Sequence, residues 1–430
     1  MKPILLAASF LLPAAARELP PLPTELSSIY DLAPAPEVKG LQLKKGDRLA
    51  ICGDSITEQR RYSVIMEAYL TACVPDLEIT CRQYGWSGEQ AGGFVGRQQS
   101  DVMRFQPTIA TTCYGMNDFH YVPFEDSIGA EFRKNETAMI RMFKDGGCRV
   151  ILGSSGIIDS TPPWVKEAKA DRQTLNVSLS KMRNVGVEIA AAEQTLFADL
   201  YRPMLLANYH AHKAYGEDFK LAGKDGVHPN WAGHIVMAYG FLQAMGLDGD
   251  LGTITFDDST GKAAATTGEE VLSSEGGKIT LKATRLPFSV GAGPLNNDDS
   301  LRAGLALVPF DEDLNRLTLK VSAPKAAAYD VTWGETKKRY TADELKNGVN
   351  LAKDFETHPL LGAFQKVWQA VVAKQDYETR QIKSLVHGPE GAADLNETFD
   401  LTEKARAPLA AAVKAAVTPV QHVIEIHPAS

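Results

Sequence analysis

Short apolar runs alternate with longer stretches of helical periodicity over residues 46–247. The apolar runs predict strands at Arg48–Cys52, Leu77–Tyr84, Thr108–Tyr114, Arg149–Ser154 and Thr195–Asp199. The periodic stretches predict helices at Tyr62–Cys73, Gln90–Phe105, Glu125–Lys144, Val165–Ala192 and Trp231–Met245. This alternation favours a parallel sheet with helices on both faces. In such a sheet, functional side chains collect at the carboxyl ends of the strands.

The alternation ends near Gly246. Residues Asp248–Gly277 are rich in Gly, Asp, Ser and Thr, which indicates a domain boundary. Further strands are predicted at Lys278–Ala283, Arg316–Val321, Tyr329–Trp333 and Val420–Ile426. We therefore expect a β-rich domain over residues 250–430, with a last strand that returns to its sheet.

Two helices are predicted within this second region and would form a hairpin. An apolar stripe marks the first, at Leu360, Phe364, Val367, Trp368, Val371 and Val372. The second lies within Leu401–Ala416 and is rich in Ala. Because Pro fits best in the first turn of a helix, Pro408 predicts that this helix starts late.

The first 16 residues have the pattern of a secretory signal peptide. Lys2 precedes an apolar run from Ile4 to Leu12, and small residues follow at Ala14–Ala16. Cleavage after Ala16 and export to the periplasm or the exterior are expected, although a buried N-terminal helix is the alternative. A Pro-rich lead follows over residues 17–45, and no later run is long enough to predict a membrane span.

Composition narrows the functional classes. The chain has 430 residues, of which 44% are hydrophobic and 23% charged, so it is an ordinary globular protein of two or three domains. Its net charge is −8 and it has no long basic run. A nucleic-acid partner is disfavoured, because such binding needs clustered positive charge. The oligomeric state is left open.

The five cysteines give no metal or redox motif, since no CxxC occurs. Cys52, Cys113 and Cys148 are expected in the core, whereas spacing alone leaves a bond between Cys73 and Cys81 open.

No metal site and no cofactor is predicted. His210 and His212 could chelate a metal, but no matching carboxylate motif accompanies them. His234 lies on a helical stretch and is expected to be structural.

Gly53-Asp54-Ser55 follows the first predicted strand. A Ser in this position can be exposed at a helix N-terminus, whose partial positive charge favours an oxyanion. The alternative is an ordinary helix N-cap. Thr57 stands where the second Gly of a G-x-S-x-G elbow would be.

Two further segments carry candidate oxyanion donors. Gly85, after the second strand, allows close approach of the backbone to a ligand, or forms a plain tight turn. Asn117, after the third strand, offers a side-chain N–H donor, or forms an Asx-turn.

Asp225 and His228 lie three residues apart before the last predicted helix. The carboxylate can reach one imidazole nitrogen, which leaves the other nitrogen free to take a proton from a Ser. The alternative is a surface turn that ends in an N-cap.

Taken in order, these segments resemble the SGNH (GDSL-type) hydrolases over roughly residues 46–247. The resemblance implies a flavodoxin-like three-layer α/β domain with a parallel five-stranded sheet, here followed by the C-terminal β-rich domain with its helical hairpin. It implies that Ser55 is the nucleophile, His228 the base and Asp225 its orienting partner. The N–H groups of Ser55 and Gly85 and the Asn117 side chain would form the oxyanion hole. Gln83 departs from the family, in which many members have Asn at that position.

The expected function is a serine esterase that removes O-acetyl groups from carbohydrates or polysaccharides. A lipolytic esterase or thioesterase with the same relay, and an inactive glycan-binding protein, are the alternatives. Trp86 and Tyr114 flank the predicted site, where they would stack on a sugar or cover the core. Trp333 and Trp368 are expected in the core.

Overall fold

The computed structural model describes residues 21–165 and 170–429. The predicted signal peptide, residues 1–16, therefore lies outside the described residues. Within the described part of the chain, no helix is both long and apolar enough to cross a membrane.

A parallel sheet, sheet A, forms the centre of the first region. Its strands are β1 (Arg48–Gly53), β2 (Thr80–Gly85), β3 (Ile109–Cys113), β4 (Arg149–Gly153) and β5 (Leu196–Ala198). They lie in the order β2-β1-β3-β4-β5, with β2 at one edge. Every residue of β3 is buried, as expected for a parallel sheet covered on both faces. The predicted five-stranded parallel sheet is confirmed.

Helices cover sheet A on both faces. In chain order the helices of this region are α1 (Thr24–Ser27), α2 (Ser55–Glu58), α3 (Tyr62–Ala72), α4 (Ala91–Asp101), α5 (Asp126–Asp145), α6 (Arg172–Glu193), α7 (Tyr201–Tyr215) and α8 (Trp231–Ala244). Short 3₁₀ turns lie at Pro75–Leu77 and Met103–Phe105.

Two helix predictions in this region need correction. The helix predicted at Val165–Ala192 is α6, and it begins at Arg172 rather than Val165. The Asp171 side chain caps it by accepting from Thr174 N at 2.8 Å. The helix α7 was not predicted. It follows β5 directly, and polar residues such as Asn208 and His210 interrupt its apolar pattern.

The second region contains two more sheets. Sheet B has the order β13-β10-β6-β7 and sheet C the order β12-β11-β14-β9-β8. The strands are β6 (Asp250–Asp257), β7 (Lys262–Ala265), β8 (Glu269–Glu275), β9 (Lys278–Ala283), β10 (Arg316–Ser322), β11 (Ala328–Trp333), β12 (Thr336–Thr341), β13 (Val349–Asn350) and β14 (Val420–Pro428). As predicted, the last strand enters a sheet, where it pairs with both β11 and β9.

The segment Asp248–Gly277, predicted as a boundary, contains β6, β7 and β8. Two of its glycines, Gly261 and Gly268, lie in the turns between these short strands and have φ of 70° and 73°. Turn residues therefore make up much of the composition of Asp248–Gly277, and for this reason the sequence pattern did not predict β6, β7 and β8.

The helices of the second region are α9 (Leu301–Leu307), α10 (Phe310–Asp313), α11 (Ala342–Asn347), α12 (Leu351–Asp354), α13 (Leu361–Arg380), α14 (Pro389–Ala393) and α15 (Leu395–Ala416). A π-helical turn, Gln381–Val386, continues α13. The late start predicted for α15 is wrong, because Pro408 lies in the interior of the helix. Pro408 and Lys404 are both exposed, so water can reach the Lys404 carbonyl that Pro408 leaves without a donor.

Helix α13 joins the two regions. It packs on α3 and beside the edge strand β2. Gln375 accepts a hydrogen bond from Ser63 Oγ at 2.7 Å, and Lys374 lies 3.1 Å from Glu67. All four side chains are buried, so polar as well as apolar contacts seal this interface.

Candidate active site

Ser55 is the first residue of α2, immediately after β1. The helix cap is Asp54, whose side chain accepts from Ile56 N at 2.9 Å, so the N-cap alternative considered for Ser55 does not apply. Burial raises the pKa of Asp54 to about 7, although the Ile56 N–H acts in the opposite direction. Ser55 thus lies at the N-terminus of α2, at the carboxyl end of sheet A.

His228 connects Ser55 to Asp225. Its Nε2 lies 2.7 Å from Ser55 Oγ and its Nδ1 lies 2.7 Å from Asp225 Oδ2. The three side chains, 173 positions apart in the chain at their extremes, thus form one continuous hydrogen-bonded chain. With Nδ1 donating to the carboxylate, Nε2 is free to accept from the Ser55 hydroxyl.

Asp225 is fixed by its own turn. Its Oδ1 accepts from the backbone N–H groups of Val227 and His228, both at 2.9 Å. Burial by itself would raise the pKa of Asp225, but these hydrogen bonds and the His228 ring outweigh it, so that the pKa lies below its ordinary value. Gly226 permits the turn, because it has φ of 84° and a Cβ there would lie 2.2 Å from Ser160 O.

Asn117 lies beside the loop that follows β2. Its Nδ2 donates to Glu89 O at 3.0 Å, and its carbonyl accepts from Gln90 Nε2 at 3.0 Å. The carboxylate of Asp118, the next residue, accepts from Gly115 N at 2.9 Å. An amide carries two N–H donors, so Asn117 keeps a second donor beyond the one that Glu89 uses.

Gly85 is buried at the end of β2. A Cβ there would lie 2.2 Å from Glu58 N and 2.5 Å from Thr57 C, so its size allows α2 to pack on the strand. Gly88, three residues later, is exposed and has φ of 74°. Both backbone N–H groups belong to the segment that Asn117 contacts.

Aromatic side chains line part of the site, and sequence reasoning missed two of them. The Trp164 ring lies 5.6 Å from the His228 ring and 6.2 Å from Tyr121, and Trp164 is 45% exposed. Tyr121 has φ of 56°, a conformation unusual for a bulky residue. The only sequence signal for Trp164 was an aromatic residue in a Pro-rich loop after the fourth strand.

The two aromatics predicted to flank the site differ. Trp86 is partly exposed, whereas Tyr114 is buried and donates to Glu89 Oε2 at 2.8 Å. Tyr114 therefore belongs to the interior. Trp333 is also fully buried, and Trp368 packs against the core.

His210, His212 and His234, which the sequence analysis does not assign to the site, are not part of the hydrogen-bonded chain of Ser55, His228 and Asp225. His234 is buried, accepts from Tyr62 N at 3.2 Å and donates to Gln59 Oε1 at 2.7 Å. His212 lies 3.0 Å from Phe219 O, and His210 packs on Tyr209. Among the described residues, no group of three or more His, Cys, Asp or Glu side chains could hold a metal ion.

All five cysteines are buried and free. Cys73 and Cys81 therefore do not form a disulfide in this structure. Burial raises the pKa of both thiols well above the ordinary value.

The strand order of sheet A, β2-β1-β3-β4-β5, is that of the flavodoxin-like α/β fold. Residues 51–236 match the GDSL-like Lipase/Acylhydrolase family. This stretch, which is less than half of the chain, is therefore similar to the lipases and acylhydrolases of that family, in agreement with the resemblance found in the sequence.

Individual relatives are distant. The acetylxylan esterase of Geobacillus stearothermophilus is 24% identical over 229 residues, which cover 48% of this chain and 98% of that protein. The solved structure of a gut microbial diltiazem-metabolizing enzyme is 23% identical and aligns with a TM-score of 0.71 over 90% of this chain and 98% of its own. An α/β hydrolase from the metagenome of Lake Arreo, Spain, is 25% identical over 48% of this chain and 98% of its own, with a TM-score of 0.39.

Proposed function

We propose that the protein is a serine esterase that removes O-acetyl groups from carbohydrates through Ser55, His228 and Asp225. The observation that carries the proposal is the chain of two 2.7 Å contacts that links the Ser55 hydroxyl to His228 and His228 to Asp225. A hydroxyl next to an imidazole, itself oriented by a carboxylate, is the arrangement that activates a serine nucleophile.

The proposed reaction has two halves. Ser55 Oγ attacks the ester carbonyl while its proton moves to His228 Nε2, and the sugar alcohol leaves with that proton. Water then attacks the acetyl-Ser55 carbonyl and gives a proton to His228. Acetate departs and the proton returns to Ser55. Asp225 stabilises the imidazolium that forms in each half.

The negative charge of each tetrahedral intermediate needs donors that are already in position. We propose the Ser55 N–H, at the start of α2, and the second N–H of the Asn117 amide. The third donor is a backbone N–H of the segment after β2. Sequence reasoning assigns it to Gly85, and the exposed, left-handed backbone of Gly88 makes that residue a second candidate for it.

A carbohydrate substrate is supported by Trp164. A half-exposed indole beside His228 offers the apolar face on which a pyranose ring stacks. The distant acetylxylan esterase adds the same substrate class by similarity.

The decisive experiment measures acetate release from acetylated xylo-oligosaccharides and other acetylated glycans. Ser55→Ala should lower the rate at least about 1,000-fold, whereas Ser274→Ala, in sheet C, should leave it unchanged. A chain-length series of aryl esters separates the alternatives, because a deacetylase should lose activity beyond short acyl groups. Faster turnover of long-chain esters would favour a lipolytic enzyme, and full activity of Ser55→Ala would end the proposal.

A further inference from the structure

A short segment of the second region lies against the loop that follows β2. We define the clamp segment as residues 381–387, which comprise the π-helical turn Gln381–Val386 and His387. It lies outside the part of the chain that matches the GDSL-like family, residues 51–236. π-Helical turns are rare and occur frequently at functional sites, so the contacts of this one are informative.

Lys383 reaches the helix that begins with Ser55. Its Nζ lies 2.7 Å from Glu58 Oε1, and Glu58 is the last residue of α2. The other carboxylate oxygen of Glu58 accepts from the backbone N–H of Ser87. Lys383 therefore holds the carboxylate that ties α2 to the loop after β2.

His387 reaches the same loop by a second route. Its Nε2 lies 2.8 Å from Asp101 Oδ2, and Asp101 lies 3.4 Å from Arg97 Nη1. Arg97 makes two bonds of 2.7 Å to the carboxylate of Glu89. Glu89 O is the atom that accepts from Asn117 Nδ2.

Trp86 lies between these two routes. The His387 ring is 5.0 Å from its ring centroid, Lys383 Nζ is 5.2 Å from it and Arg97 Cζ is 5.1 Å from it. Two of these three groups come from the clamp segment. The clamp segment, which lies outside residues 51–236, thus contacts the loop after β2 directly at Trp86. It also reaches Ser87 through Glu58, and Glu89 through Asp101 and Arg97.

We propose that Lys383 and His387 are positioning residues for the oxyanion side of the active site, so that the C-terminal region completes the esterase rather than acting as a separate module. This inference rests on the proposed function. Oxyanion donors act because they are fixed before the charge develops. If the contacts of Lys383 with Glu58 and of His387 with Asp101 were lost, the loop after β2 would be held less firmly. The Asn117 amide and the neighbouring N–H groups would then move from the positions in which they stabilise the oxyanion.

The test uses the full chain with Lys383→Met, His387→Phe and the double variant. These changes keep side-chain length or ring packing while they remove the bonds to Glu58 and Asp101. The matched control is Arg285→Met, which breaks another contact between the two regions, a 2.9 Å ion pair with Asp76 outside the clamp segment. Lys383→Arg serves as the conservative rescue.

The readouts are kcat and KM for an aryl acetate, and affinities for an alkylboronic acid, which forms a tetrahedral adduct with a serine, and for acetate. Misplacement of donors predicts that the double variant loses roughly 10- to 100-fold in kcat and in boronate affinity. Its KM and acetate affinity should stay within about twofold, and Arg285→Met should match the parent in all four quantities.

Two results would overturn the inference: a double variant with kcat within about twofold of the parent, or an equal loss in Arg285→Met, which would indicate general loosening of the interface. If the double variant fails to fold, the same comparison is made with each single variant. Full activity of Ser55→Ala would instead remove the proposed function, which none of these variants tests.

Discussion

Asp225 accepts three hydrogen bonds from within its own turn, from two backbone N–H groups and from the His228 ring. Their combined effect keeps its pKa below the ordinary value. Because the pKa is lowered, the stability that Asp225 contributes is fully present above about pH 4 and is lost as the pH falls through the lowered pKa. A loss of activity between pH 5 and 7 would therefore not come from protonation of Asp225.

Asp225→Asn should lower kcat by roughly 100- to 10,000-fold, because an amide at this position favours the wrong His228 tautomer. The fold should be retained, since Asn can still accept from Val227 and His228 N–H. Aryl acetate kinetics from pH 6 to 9 would measure the loss, and near-parental kcat throughout would contradict the orienting role of Asp225.

Glu136, on α5, is a buried acid outside the active-site hydrogen bonds. Among the described residues, neither of its carboxyl oxygens has a hydrogen-bond partner. Burial, and to a lesser extent the charge of Asp118, raises its pKa well above the ordinary value. The folded protein therefore holds a proton there that the unfolded chain releases near pH 4.5, so stability is lost as the pH rises above that point.

Glu136→Met should remove this pH dependence. The free energy of unfolding of the variant should exceed that of the parent by roughly 1–3 kcal/mol at pH 8, and by less at pH 5. Urea denaturation at both pH values measures the difference. Glu131→Met, on the exposed face of the same helix, is the control and should show no such trend.

At the scale of elements, the sequence predicted best what depends on neighbouring residues. Apolar runs and their periods located the five strands of sheet A, and Ser55, Asn117 and Asp225 were recognisable in the loops that follow strands or precede a helix. The strands β6–β8 were missed because their turn residues outnumber their apolar ones. Pro408 led to a wrong helix start. The free-energy cost of a Pro inside a helix depends on whether water reaches the carbonyl four residues earlier, here that of Lys404, and the local sequence does not reveal this.

The packing of α2 on β2 gives the element-scale prediction. Gly85→Ala would place a Cβ 2.2 Å from Glu58 N and 2.5 Å from Thr57 C, and both of these nearest atoms are backbone atoms. We expect a loss of about 1–3 kcal/mol in stability and a fall in kcat, since α2 carries Ser55. Gly96→Ala is the control, because nothing lies within 4 Å of a Cβ there and Ala is the better helix former by about 1 kcal/mol. Thermal unfolding and aryl acetate kinetics measure both effects. Equal behaviour of the two variants would show that α2 does not need Gly85.

At the scale of the whole molecule, local patterns carry little information. Lys383 and Glu58 are 325 positions apart, and His387 and Asp101 are 286 apart. No sequence motif predicts either pair, because these contacts form only when the two regions pack against each other. The same holds for Trp164, whose place beside His228 follows from the path of a loop.

The interface under α13 predicts the result of a truncation. Ten of the eleven residues of α3 are buried, and α13 is one of the elements that cover it. A chain of residues 46–247 would expose part of that apolar surface, so we expect aggregation or a loosely packed state without cooperative unfolding. Circular dichroism and dye binding would measure this, with the intact protein as reference. A soluble, cooperatively unfolding and active fragment would contradict it.

The position of β14 within sheet C has a consequence for biosynthesis. Residues 420–428 form the strand that joins the β8–β9 hairpin to the β11–β12 hairpin. During synthesis the two hairpins form before β14 is available. Until β14 leaves the ribosome, β9 and β11 each keep one unpaired edge. A nascent chain halted a few codons before residue 420 would therefore carry two unpaired strand edges that can template aggregation, and we expect it to depend strongly on chaperones.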